Sequence, residues 1–286
     1  MDEFPRTMVG GVSVSRLIIG SNWFLGFSHT SAAKDQFIRT LQTRQHIADV
    51  LTVFLTRGID TVMGPADPLL NEAVCEAEQR TGKRMIKVYT PAFNLLPRTD
   101  DKQRNMWDYE PEVAFDICRD MGATFCLPHQ SVTDALIDKR AGVIRDLDRY
   151  TRLIRERGMV PGLSTHMPEA VVYADRQGAD VETYIQLFNA AGFLMQVEAD
   201  WVMRIIREAK KPVMTIKPLA AGRLLPAVGL AFVWSCIRDQ DMVTIGCTTP
   251  DEAKEVIDLS LDFLSRRVPD NQLQFTRSKR SLASQG

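Results

Sequence analysis

Excess charge is the first thing missing from this sequence: 35 Lys and Arg against 36 Asp and Glu leave a net charge of -1 over 286 residues. No overall field draws in nucleic acid or an anionic membrane, and neither is expected as a partner. No apolar run reaches the roughly 18 to 20 residues of a membrane span. The opening "MDEFPRTM" carries acids where a secretory leader carries bases, so a soluble, cytoplasmic protein is expected. The 5 cysteines (Cys75, Cys118, Cys126, Cys236 and Cys247) are odd in number, widely spaced and mostly inside apolar runs. That pattern fits reduced core thiols better than a disulfide framework. Also absent are a GxGxxG turn after the first strand, a P-loop, a GxSxG elbow and any HxH, HExxH or CxxC spacing. With them go the usual signatures of doubly wound dinucleotide folds, nucleoside triphosphate chemistry and acyl transfer, and no metal is expected.

What the sequence does have is a repeating grammar. With 45% hydrophobic and 25% charged residues it reads as a globular chain able to bury a large core. Short β-rich runs alternate with amphipathic helical segments, the pattern of parallel strands joined by crossover helices. Strands are predicted at 17–22, 59–63, 85–91, 124–129, 160–166, 183–189, 212–218 and 242–247. Eight such units in about 250 residues make an α/β protein of the (β/α)8 TIM barrel class. Residues 1–286 are read as a single domain, with the polar, basic stretch 267–286 as a loosely held tail. Three strand-to-helix loops, 23–43, 92–107 and 190–198, are longer than usual. In a barrel they lie on the carboxy-terminal face, where active sites are built.

Polar residues at the predicted strand ends form the candidate site: Asn22, Asp60, Tyr89, His129, Ser164, His166, Gln186, Asn189 and Lys217. Asp60, placed at the end of strand two, either caps the following loop or orients a neighbouring Lys or His. His129 in "FCLPHQ" can donate a hydrogen bond to a substrate carbonyl, or serve as a satisfied structural residue. His166 in "STHMPE" lies in what also reads as a helix start. Lys217 in "MTIKPLAAG" is a cation in an apolar strand and must find a partner. An ion pair with Asp60 or another acid is expected there; an anion clamp and a Schiff-base amine are the other readings. In the long first loop, Trp23, His29 and Lys34 are added as candidate contributors.

Several motifs, in order from about residue 8 to residue 265, resemble the aldo-keto reductase family. "MVGGVSVSRLIIGSNWF" is similar to its N-terminal β-hairpin and first strand, and "GLSTHMPEAVVYA" to its fifth strand and helix start. "KPLAAGRL" and "TIGCTTPDEAKEVID" are similar to its cofactor-side loops. The resemblance implies a catalytic tetrad: an Asp on strand two, a Tyr five residues later, a Lys ending strand three and a His ending strand four. Asp60 and His129 match; Pro65 and Pro91 stand where the Tyr and Lys belong. Tyr89 and His129 are the expected substitutes for the missing acid. The resemblance also implies that Ser164 and Gln186 hold a nicotinamide carboxamide, with Thr165 in place of an Asn and Ile216 in place of a stacking aromatic. It puts Gly246 and the loop after it beside the nucleotide, with Arg223 and Lys254 as candidate cations.

Three readings follow. One is an aldo-keto-reductase-like enzyme that uses NAD(P)H on a small carbonyl or sugar-like substrate bound by Asn22, Trp23, His29 and Asn189. A second is a non-redox lyase, isomerase or epimerase on the same barrel. The third is a non-catalytic binding protein. A homo-oligomer is compatible with all three.

Overall fold

In the computed structural model, residues 4–95, 109–269 and 277–283 are described. The chain opens with an antiparallel hairpin, β1 (Arg6–Val9) and β2 (Val12–Ser15). Its turn is made by Gly10 and Gly11, with φ of 53° and 82°, two successive left-handed residues that side chains resist. Barrel strands follow as β3 (Leu17–Gly20), β4 (Thr61–Gly64), β5 (Ile86–Tyr89) and β6 (Phe125–Cys126). After a small side hairpin, β7 (Ile137–Asp138) and β8 (Val143–Ile144), come β9 (Val160–Pro161), β10 (Leu163–Thr165), β11 (Tyr184–Leu187), β12 (Val213–Ile216) and β13 (Met242–Ile245).

The barrel sheet is parallel throughout and runs β10-β11-β12-β13-β3-β4-β5-β6-β9. Its two ends, β9 and β10, are consecutive halves of the expected fifth strand, separated by Gly162. A Cβ on Gly162 would lie 2.8 Å from both the Leu127 side chain and the Thr183 carbonyl oxygen. Glycine therefore lets the strand bend, so that β9 pairs with β6 and β10 with β11. All eight predicted strands are present and the (β/α)8 barrel is nearly closed, with the hairpin ahead of it.

Two apolar layers hold it. Inside the barrel, Ile18, Met63, Val88, Phe125, Leu127, Ile185, Met214 and Met242 pack with Val9 and Val14 of the hairpin. Outside, the other strand face packs against the helices through residues such as Leu17, Ile19, Leu51, Val74, Phe115, Ile206 and Ile257. The alternation of side chains along each strand produces this division.

The helices are α1 (Ala32–Leu41), α2 (Arg44–Thr56), α3 (Pro68–Thr81), α4 (Pro111–Asp120), α5 (Gln130–Thr133), α6 (Leu147–Glu156), α7 (Glu169–Gln177), α8 (Ala199–Glu208), α9 (Pro226–Cys236), α10 (Pro250–Leu264) and α11 (Arg277–Ala283). One expectation is corrected here. The predicted loop 23–43 contains α1, whose Ser31 cap accepts from the Lys34 backbone N–H. Within the stretch 267–286, residues 277–283 form α11. Most of the predicted loop 92–107 lies outside the described residues. Of the cysteines, Cys118, Cys126 and Cys247 are buried, whereas Cys75 is exposed. No helix among the described residues is long and apolar enough to cross a membrane.

Candidate functional site

A cavity of about 840 Å³ opens at the carboxy-terminal ends of the barrel strands. It runs from the barrel mouth, at Asn22, His129, Ser164, His166 and Lys217, past Trp23 and Gly246 to Thr248 and the start of α10. Helix α1 contributes Lys34, Ile38 and Leu41 to its wall, and Gln42 follows directly. Close packing shapes this space. A Cβ on Gly246 would lie 2.6 Å from the Trp23 ring, and one on Gly64 only 1.8 Å from Ser21 Oγ.

Lys217 follows β12 with a φ of 60°, and Ala220 and Ala221 in the same loop have φ of 50° and 56°. Non-glycine residues seldom adopt this conformation, and such strain gathers at functional loops. The expected ion pair is not there: among the described residues no carboxylate bridges Lys217. Burial, uncompensated by any acid, lowers its amine to about 8.

Three imidazoles share this cavity. His129 begins α5, and its Nδ1 accepts a hydrogen bond from the Ser131 backbone N–H at 3.3 Å. The ring proton is thereby assigned to Nε2. Burial first, then the Lys217 charge, lowers His129 to about 4. His166 is lowered to about 3, by burial and then by Lys217 and the other two histidines. Its backbone N–H donates to Asp134, which also accepts from the Thr165 hydroxyl. Burial raises the Asp134 carboxyl, and that residue fixes the end of strand five. His29 has a φ of 56°, and its Nδ1–H donates to the Phe27 carbonyl at 3.0 Å. Burial, and then Lys217, lowers it as well. Near neutral pH the Lys217 amine thus sits among imidazoles that are all shifted toward their neutral form. Among the described residues no group of His, Cys, Asp and Glu is arranged to hold a metal ion.

Several sequence-predicted residues are elsewhere. Asp60 does not end strand two but precedes it, because β4 begins at Thr61; the strand end holds Met63 and Gly64. Asp60 therefore lies at the opposite, amino-terminal end of the barrel, where it accepts from Arg6 of the hairpin at 2.9 Å. Tyr89 is fully buried and its hydroxyl reaches Asn71 of α3 at 3.5 Å, so it faces the helix layer. Burial pushes its phenol up, which unsuits it as an acid. Asn189 is buried and pins its own loop, accepting from Phe193 N–H and donating to Phe193 O. Arg223 lies over the Phe193 ring, 4.0 Å from its centroid, and donates to Ala220 O. None of these four lines the cavity.

Asn22, Trp23, His29, Ser164, His166, His129, Lys217 and Gly246 do line it. Gln186 does not: it pairs in register with Thr165, whereas Ser164 and its partner Ile185 face the cavity, and its buried Oε1 has no partner. Ser21 Oγ, on the cavity wall, is also buried and unpartnered. Sequence reasoning missed Ser21, Gln42, Asp134, Glu252 and Glu255. Only Glu252 carried a signal, as the third residue after a Thr helix cap.

No family model matches the chain, and no curated protein matches it significantly. Solved structures do. A Pseudomonas aeruginosa protein described as an aldo-keto reductase matches with a TM-score of 0.63 and 15% identity, over 91% of this chain and 95% of its own. An aldo-keto reductase from Bacillus halodurans, solved in its holo form, gives 0.56 and 14%, covering 99% of this chain and 96% of that one. The glycerol dehydrogenase of Gluconobacter oxydans gives 0.56 and 14%, over 95% and 98%. At these identities the likeness is one of fold.

Proposed function

Given that this chain is folded as the aldo-keto reductases are, we propose that it is an enzyme reducing a small carbonyl or sugar-like compound, with Lys217 as the proton donor. One observation carries the reading: a buried Lys217 amine, held at about 8 and bridged by no carboxylate among the described residues, in the same cavity as His129 and His166. An acid with a pKa near the working pH is what carbonyl reduction requires once a hydride is supplied. His129, with its proton on Nε2, is a hydrogen-bond donor for a carbonyl oxygen rather than an acid, because it stays neutral until about pH 4. His166 orients the same oxygen, and Trp23 and Asn22 bound the substrate.

A nicotinamide nucleotide is the fitting hydride source. Ser164 stands in the cavity wall, as does Ser21, whose buried hydroxyl has no partner and can meet an amide group. Ser164 and Ser21 would hold the carboxamide, with Gly246 beside the rest of the nucleotide; when bound, the group supplies the hydride. Following NADH or NADPH absorbance with a panel of aldehydes, ketones and aldoses tests the activity. Turnover lost in Lys217→Met but kept in Tyr89→Phe supports it; turnover unchanged in Lys217→Met overturns it.

The same amine supports a second reading. A desolvated lysine is also a nucleophile toward carbonyl carbon, as a lyase or isomerase acting through an imine would need. Borohydride trapping of a substrate adduct on Lys217 would favour that chemistry.

A further inference from the structure

The far end of the cavity differs in chemistry from the barrel mouth. It is bounded by Gln42, Thr248, Glu252 and Glu255. Gln42 Nε2 donates to the Thr248 carbonyl at 3.2 Å, which fixes the amide so that Oε1 is the other atom. That Oε1 is buried and has no partner, and Gln42 is only 5% exposed. His46 Nε2 donates to the same carbonyl at 2.7 Å.

Glu252 is held in place. Its Oε2 accepts from both the backbone N–H and the hydroxyl of Thr248, at 2.6 and 2.7 Å. Thr249 Oγ1 in return accepts from the Glu252 N–H at 3.2 Å. An N–H group that could have met an anion at the start of α10 is therefore already taken by a carboxylate of the chain. Nearby cations are engaged elsewhere. Lys254 bridges Asp251 at 2.9 Å, Arg44 bridges Glu76 at 2.9 Å, and Lys34 stands over the Trp23 and Phe37 rings. This end offers acceptors, Gln42 Oε1 and two carboxylates, so it calls for hydrogen-bond donors and repels anions.

We propose that this end selects the nucleotide: the cleft takes NAD(H), whose ribose hydroxyls donate to Glu252, Glu255 and Gln42 Oε1, and rejects the extra phosphate of NADP(H). The inference rests on the nucleotide reading above and names Glu252 as its main determinant. A dianionic phosphate here would face Glu252 and Glu255, a like-charge contact, while Lys254 and Arg44 are held by Asp251 and Glu76.

Titration of the purified full-length protein with NADH and with NADPH, read by quenching of tryptophan fluorescence, tests it without any substrate. NADH should bind roughly tenfold more tightly or better. Glu252→Gln, which keeps an acceptor for Thr248, should narrow that ratio, and Glu252→Arg should invert it. Equal or tighter binding of NADPH by the unaltered protein overturns the inference and leaves the nucleotide reading standing. So does an unchanged ratio in both variants when their melting temperatures are unaltered. Failure of both nucleotides to bind overturns the nucleotide reading itself, and the selectivity with it.

Discussion

Asp60 and Arg6 meet at 2.9 Å on the amino-terminal side of the barrel, the side away from the cavity. Arg6 Nη2 also donates to the Ser13 carbonyl, and its Nε to the Ser13 hydroxyl, so the guanidinium ties the hairpin to the start of β4. The pair is partly exposed, at 28% and 23%, which limits its worth to about 1 kcal/mol or less. Asp60→Asn should therefore leave kcat and KM unchanged and lower stability by about that much in urea unfolding. A large loss of kcat in a folded Asp60→Asn protein would contradict this placement.

The pH dependence of turnover separates the two chemistries open to Lys217. As a proton donor it must be protonated, so kcat/KM should fall as pH rises through about 8. As an imine-forming nucleophile it must be neutral, and the rate should rise over the same interval. Lys217→Met should cost roughly a hundredfold or more in kcat in either case. The direction of the profile therefore carries the distinction.

His129 and His166 are lowered from 6.5 to about 4 and about 3, with burial as the leading cause of both. Between those values and 6.5 the unfolded chain binds protons that the folded chain refuses, so stability falls as pH drops through this window. Urea midpoints measured from pH 7.5 to 4.5 should show that decline. His129→Gln with His166→Gln should flatten it, and a slope unaltered by the pair would show that their burial does not drive it.

Gly162→Ala should destabilise the barrel by roughly 2 kcal/mol or more, because its Cβ would meet Leu127 and the Thr183 carbonyl at 2.8 Å. Calorimetry would register the drop in melting temperature. The neighbouring Gly178, at φ 64° with nothing near its Cβ position, should cost less when changed to Ala.

The barrel was legible in the sequence because it depends on local periodicity. Apolar runs such as "VMTI" and "MVTIGC" specify strands, and strands stand there in the structure. Order and handedness rules then leave few arrangements for eight such units. His129, His166 and Lys217 could be picked out because polar residues that close apolar strands are rare.

What the sequence could not decide was register along a strand and the partner of each charge. A shift of a few residues in the start of β4 moves Asp60 from the mouth of the barrel to its base, and no local pattern fixes that shift. The hydrogen bonds to β3 and β5 fix it. Likewise Lys217 looked like half of an ion pair, because a buried cation ordinarily demands an acid. Only the assembled barrel, which turns Asp60 toward Arg6 and gathers three neutral imidazoles around the amine, leaves that lysine desolvated and near neutrality.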